Sequence, residues 1–244
     1  MIKSLLKYFV MSFLGLLLAG ISLVVAGNLE GYYTEEQVRS YDPKLGRDKV
    51  TIRKTFYAGD RWRKDEGWYG VTIARFDLDR IYVLDVTAET YVEITPEFLQ
   101  NFASEGLSAF GRPTGVEGEY DFPEDLFVRT DATKDIGLWE CYQVTTNPKY
   151  RTERSPYVVF WYTTDIDFPV QIYGEQLKQI FGDSPEVNKL FSRLNEFPGY
   201  PVRTEANIPN GNVVTILTKI ERVTNMDPEL FEVPKKYTKV DFPD

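Results

Sequence analysis

The sequence predicts a mainly β, α+β fold: a single curved antiparallel sheet, filled in part by helices. Three observations predict it. From residue 28 onward the dominant hydrophobic period is two, carried by aromatic and β-branched residues between turn signals. The turns between successive strands are short, which implies hairpins joined as a meander. Only one strongly amphipathic helical pair occurs, too little to cover a sheet of roughly nine strands, so the sheet has to curl to hide its apolar face.

Residues 1 to 27 read as a bacterial-type secretory signal peptide. Lys3 and Lys7 precede an almost unbroken apolar run from Tyr8, which ends in the small residues Val25-Ala26-Gly27. The run is about 20 residues long, enough to cross a bilayer, so an uncleaved anchor is the competing reading. A bacterial lipoprotein signal needs a cysteine directly after the small residues, where Asn28 stands. Residues 28 to 244 are expected to form one domain, monomeric and periplasmic or secreted within the bacterial cell envelope.

The first clear strand is Val50 to Tyr57, with Ala58-Gly59-Asp60 turning into Arg61 to Lys64. Val71 to Phe76 follows, and Asp77-Leu78-Asp79 turns into Arg80 to Asp85. Thr87-Ala88-Glu89 leads to Thr90 to Ile94. Thr95-Pro96-Glu97 supplies a capping hydroxyl and a first-turn proline for a short helix through Phe102. Gly106 to Asp131, rich in glycine, proline and acids, reads as a long loop or lid. Strands resume at Gly137 to Thr145, Tyr157 to Thr164 and Pro169 to Tyr173. The helical pair follows: Glu175 to Phe181, then a second helix capped by Ser184-Pro185-Glu186, with Leu190 and Leu194 at helical spacing. Two strands close the sheet, Tyr200 to Glu205 and Val213 to Val223, ahead of a tail holding Leu230, Phe231 and Val233.

Composition excludes several functions. The chain carries a net charge of −9; the leader holds two lysines and no acid, so the remainder carries −11 and repels nucleic acid and anionic head groups. With no histidine anywhere, the commonest general base and metal ligand are missing, and with them Ser-His-Asp, Cys-His and most zinc chemistries. A single cysteine, Cys141, allows no internal disulfide and reads as a small buried hydrophobe. The carboxylate pairs Asp77/Asp79 and Asp165/Asp167 have the composition of a glycosidase pair, but Asp-x-Asp at a strand end is ordinarily turn chemistry. No enzyme activity, cofactor or metal is expected.

The segments Tyr57-Ala58-Gly59-Asp60-Arg61-Trp62-Arg63, Phe76 to Asp85 and Thr90-Tyr91-Val92-Glu93 resemble the consecutive hairpins of the LolA/LolB-like periplasmic lipoprotein-carrier superfamily. Phe160 to Val170 and the closing Leu230-Phe231-Glu232-Val233-Pro234 are similar to its uncharacterised secreted, outer-membrane lipoprotein-sorting-like members. The resemblance implies an open β half-barrel whose concave apolar face is partly plugged by helices, and a role in holding acyl chains of lipids or lipoproteins in transit. One feature departs from it. The carriers have a basic residue ahead of the second hairpin strand that helps latch a lid helix, whereas this chain has Tyr57-Ala58-Gly59, with Arg61 and Arg63 as the nearest basic residues.

The leading expectation is therefore a carrier of lipid, lipoprotein acyl chains or another amphiphile, working with an envelope delivery partner. Its cavity is expected to be lined by Trp62, Ile73, Leu84, Tyr142, Trp161, Ile172 and Leu217 from the sheet, with Leu190 and Leu194 from the helical plug. The alternative is a structural or interaction module of the envelope, its core filled by its own side chains and its acidic Gly106 to Asp131 loop as the contact surface.

Overall fold

The computed structural model describes residues 29–42, 46–67, 70–95, 98, 112–113, 120–121, 123–151, 157–168, 185–208 and 211–241. The expected leader, the strand at 169–173 with Ile172, the helix at 175–181 and most of the helix at 96–102 lie outside them. The described strands are β1 (Leu29–Asp42), β2 (Arg47–Ala58), β3 (Arg61–Asp65), β4 (Val71–Arg75), β5 (Arg80–Asp85), β6 (Thr90–Ile94), β7 (Arg112–Pro113), β8 (Tyr120–Asp121), β9 (Phe127–Ile136), β10 (Trp139–Thr146), β11 (Tyr157–Thr163), β12 (Tyr200–Ile208), β13 (Gly211–Met226) and β14 (Thr238–Lys239). One α-helix, α1 (Pro185–Leu194), precedes β12.

Twelve strands form one open, curved sheet in the order β14-β6-β5-β4-β3-β2-β1-β13-β12-β11-β10-β9, and β7 pairs with β8 apart from it. The meander from β2 to β6 agrees with the expected hairpins. Its turns place Gly59, Asp79 and Glu89 at positive φ, and the Asp85 carboxylate accepts the Thr87 and Ala88 amides at 2.9 Å.

Three elements differ from expectation. β1 is a long central strand, paired with β2 on one side and β13 on the other, although its sequence is polar on both faces. β9 begins at Phe127, so the stretch expected to be loop as far as Asp131 is already strand. The sheet is mixed, because β14 runs parallel to β6.

Two glycines have positions no other residue fits. At Gly31 a Cβ would lie 1.6 Å from the Tyr57 carbonyl oxygen, so close pairing of β1 and β2 requires glycine there. Gly199 takes φ 100° where the chain leaves α1 for β12, and a Cβ there would meet the Thr163 carbonyl oxygen at 2.1 Å.

Register defines two faces of the β2 to β5 region. Trp62 pairs with Ala74, and Ala74 with Ile81, on one face; Arg63 pairs with Ile73, and Ile73 with Tyr82, on the other. The Ile73 face is covered by the C-terminal segment. Phe231, fully buried at the end of a short 3-10 turn, packs among Leu29, Val71, Ile73, Leu84 and Met226. Arg63 donates to the Leu230 carbonyl at 3.0 Å, Arg75 pairs with Glu232, and the Val240 amide donates to the Tyr91 carbonyl at 2.9 Å. Helix α1 covers another part of the sheet: Leu190 and Leu194 pack with Tyr142, Val144, Phe160 and Tyr162.

Candidate functional site

On the Trp62 face, cross-strand pairing arranges side chains in three rows of different chemistry. The first runs Tyr32, Tyr57, Trp62, Ala74, Ile81, Ile94 across β1 to β6. Phe168 stacks edge-on over it, 4.6 Å from Tyr32 and 5.1 Å from Tyr200 between ring centroids. The second row, two residues along each strand, runs Thr34, Thr55, Lys64, Thr72, Val83, Val92. The third joins Leu217, Glu36 and Arg53. On β1 and β2 polarity therefore rises from one row to the next, from Tyr32 and Tyr57 through Thr34 and Thr55 to Glu36 and Arg53, and on β3 from Trp62 to Lys64.

The charged end is buried. Arg53 is 1% exposed and Lys64 fully covered. Arg53 donates through Nε to Glu66 at 2.9 Å and through Nη1 to Glu36 at 3.3 Å, and Lys64 Nζ lies 3.2 Å from the second Glu66 oxygen. Each ion loses hydration on burial, at an effective cost of several kcal/mol, which this mutual pairing offsets.

The titration of the group follows from that arrangement. Burial raises the Glu36 carboxyl above its ordinary value even though Arg53 pulls the other way. Burial would raise Glu66 too, but Lys64 and Arg53 together outweigh it and bring it below the usual range. Burial pulls the Lys64 ammonium down to about 8. Burial and the nearby Glu36 charge push the Tyr57 phenol up.

Lys64 gives this region a pH signature. Its folded pKa lies below the value of an unfolded chain, so between about pH 8 and 10.5 the unfolded chain binds more protons and stability rises with pH. Compared with Lys64→Met by urea unfolding, the wild type should gain about 3 kcal/mol from pH 7 to pH 10.5. The tyrosines titrate in both proteins and cancel; a pH-independent difference would contradict the burial of a charged Lys64.

The residues expected to line a cavity fall into three packed clusters. Trp62, Trp161 and Leu217 belong to the largest. Tyr142, Leu190 and Leu194 form part of the cluster beneath α1. Ile73 and Leu84 lie on the face opposite Trp62, under Phe231, and do not share a surface with it. Ile172 lies outside the described residues. The Trp161 ring carries the Lys134 ammonium at 3.6 Å and donates through Nε1 to Glu205 at 3.3 Å.

Glu36, Arg53, Lys64 and Glu66 were not among the expected site residues. A signal for them exists: Arg53 is in phase with Tyr57, and Lys64 with Trp62, so each charge falls on the aromatic face of its strand. Arg61 and Arg63 lie on the opposite face, where Arg61 pairs with Asp77 at 3.2 Å and Arg63 holds the C-terminal segment. The Asp77 carboxylate is clamped by Arg75 at 2.7 Å, and its pKa is lowered chiefly by that hydrogen bond. Asp79 occupies the left-handed turn position, and the Asp165 amide donates to Thr163 Oγ1. Asp77 and Asp79 thus take part in ion-pair and turn structure, and the Asp165 backbone in a local turn.

In sequence, no family model and no curated protein matches the chain. In structure it is similar to PNGF-II, at 14% identity and a TM-score of 0.39, covering 87% of this chain and 31% of that one. The chain thus spans about a third of that protein's length. An uncharacterized conserved protein from Thermus thermophilus is similar at 6% identity and a TM-score of 0.45, covering 86% of this chain and 89% of that one. A LolA superfamily protein from Nitrosomonas europaea is similar at 7% identity and a TM-score of 0.33, covering 84% and 90%.

Proposed function

We propose that this chain is a carrier or binding protein of the bacterial envelope, periplasmic or secreted, that holds lipid, lipoprotein acyl chains or another amphiphile by non-covalent burial against the Trp62 face. The observation that carries this reading is the gradient across the three rows. A sheet face filled only by its own side chains has no use for a buried Arg-Lys-Glu-Glu group beside an aromatic row, and buried ions add little net stability there. A ligand that is apolar at one end and polar at the other matches such a face.

In this reading Trp62 and Leu217 hold the apolar part, with Tyr142 from the sheet and Leu190 and Leu194 from α1, and Ile172 remains an expected lining residue. Trp161, in register with Arg203, Ile216 and Gln37, lies on the other face of the sheet. Ile73 and Leu84 instead anchor the C-terminal segment. Each methylene moved out of water contributes about 0.8 kcal/mol, so eight carbons supply roughly 6 kcal/mol before ordering costs. No covalent step, cofactor or metal enters the mechanism. Release then requires a delivery partner or a change that opens the face.

Titration of the purified protein with a dansyl-labelled fatty acid tests the proposal. Saturable binding with enhanced, blue-shifted emission is expected. Absence of saturable binding would favour an envelope module with a self-filled core.

A further inference from the structure

We infer that the charged end of the Trp62 face seats an anionic head group, a carboxylate or a phosphate, of an amphiphile whose chain lies along the aromatic row. The inference rests on the carrier reading and names the chemistry of its ligand.

Two buried hydroxyls at this end, Thr34 and Thr55, have no hydrogen-bond partner among the described residues. Arg53 presents a rigid fork of five N–H groups, of which Nε and Nη1 reach carboxylates. The Thr34 and Thr55 hydroxyls are buried beside the Tyr57 phenol, whose ionisation they ease, and neither reaches full hydrogen-bond geometry with a partner among the described residues. The two carboxylates of the group, Glu36 and Glu66, are engaged by Arg53 and Lys64 rather than by these hydroxyls. Buried donors lacking acceptors are costly, so a ligand that brings acceptor oxygens is favoured. A cationic head would meet the reverse situation, since both carboxylates are already engaged.

The two carboxylates are held unequally. Glu66 contacts Arg53 and Lys64 at 2.9 and 3.2 Å, whereas among the described residues Glu36 contacts Arg53, at 3.3 Å. Glu36 is thus the carboxylate an incoming anion displaces from Arg53 Nη1. Its burial already favours the protonated form, so the added negative charge is balanced by a proton taken up at Glu36. The Thr34 hydroxyl, two residues along β1 on the same face, is placed to donate to the same anion.

The test is displacement of the neutral dye N-phenyl-1-naphthylamine at pH 7 by laurate, dodecyl phosphate and dodecanol. Both anions should displace it at concentrations at least tenfold below dodecanol. Glu36→Gln, which removes the competing charge without changing volume, should raise the preference for laurate over dodecanol a further several-fold, and Lys64→Met should lower it. Equal displacement by all three, or a laurate preference unchanged or reduced in Glu36→Gln, overturns the head-group assignment while leaving the carrier reading intact. Failure of every long-chain compound to displace the dye overturns both. Inorganic phosphate that displaces the dye as well as dodecyl phosphate does overturns the requirement for an amphiphile.

Discussion

Arg53→Met is expected to destabilise the protein by about 3–5 kcal/mol at pH 7.5, the usual cost of removing one partner from a buried ion group. Arg53 is the only described cation contacting both Glu36 and Glu66, so its loss leaves Glu36 buried with only the more distant Lys64 charge to offset it among the described residues, and Glu66 with Lys64. The pH dependence identifies the cause. Without Arg53, burial lifts the Glu36 carboxyl further above its unfolded value and Glu66 loses part of what holds it low, so the folded state binds more protons than it does in the wild type and the penalty grows as pH rises through the carboxylate range. Urea unfolding at pH 4.5 and 7.5 should therefore show a smaller deficit at the lower pH. The double variant Glu36→Gln/Arg53→Met should recover part of the loss, because the stranded charge is removed with its partner. A deficit below about 1 kcal/mol at both pH values would mean that the group is hydrated rather than buried.

Phe231→Ala is expected to cost about 3–5 kcal/mol, lowering the thermal midpoint by roughly 6–20 °C for a chain of this size. Its ring fills the space between β4, β5 and the two chain segments Leu29 and Met226, so truncation leaves a cavity beneath the strands that carry the Trp62 face on their other side. Arg63, the exposed Glu232 partner of Arg75, and the β14–β6 pairing fasten the same segment nearer the surface and contribute less each. Calorimetry measures the shift. Ligand affinity per folded molecule should change far less than stability, since Phe231 lies on the opposite face of the sheet.

The hairpin meander was legible because alternation and turn chemistry agree over those residues. β5 and β6 run over the expected spans, Arg80–Asp85 and Thr90–Ile94. β1 was not legible, because its buried Glu36 counts as polar in any pattern until Arg53, on the neighbouring strand, is known to pair with it. β14 is two residues long and exists only through its partner.

The site was partly legible for a similar reason. Trp62 and Leu217 stand out as apolar positions on amphipathic strands, but β4 is buried on both faces, so its sequence carries no sign of which side Ile73 takes. The charged group was hidden because its four members come from β1, β2, β3 and the residue following β3. Pairing register, which local sequence does not specify, brings them together.

Native mass spectrometry of the protein purified from cells without detergent addresses the carrier proposal most directly. The account predicts a population heavier than the polypeptide by the mass of one amphiphile with an anionic head, returning to the bare mass after solvent extraction. A bare polypeptide mass in every preparation, with no uptake of added laurate, would contradict it.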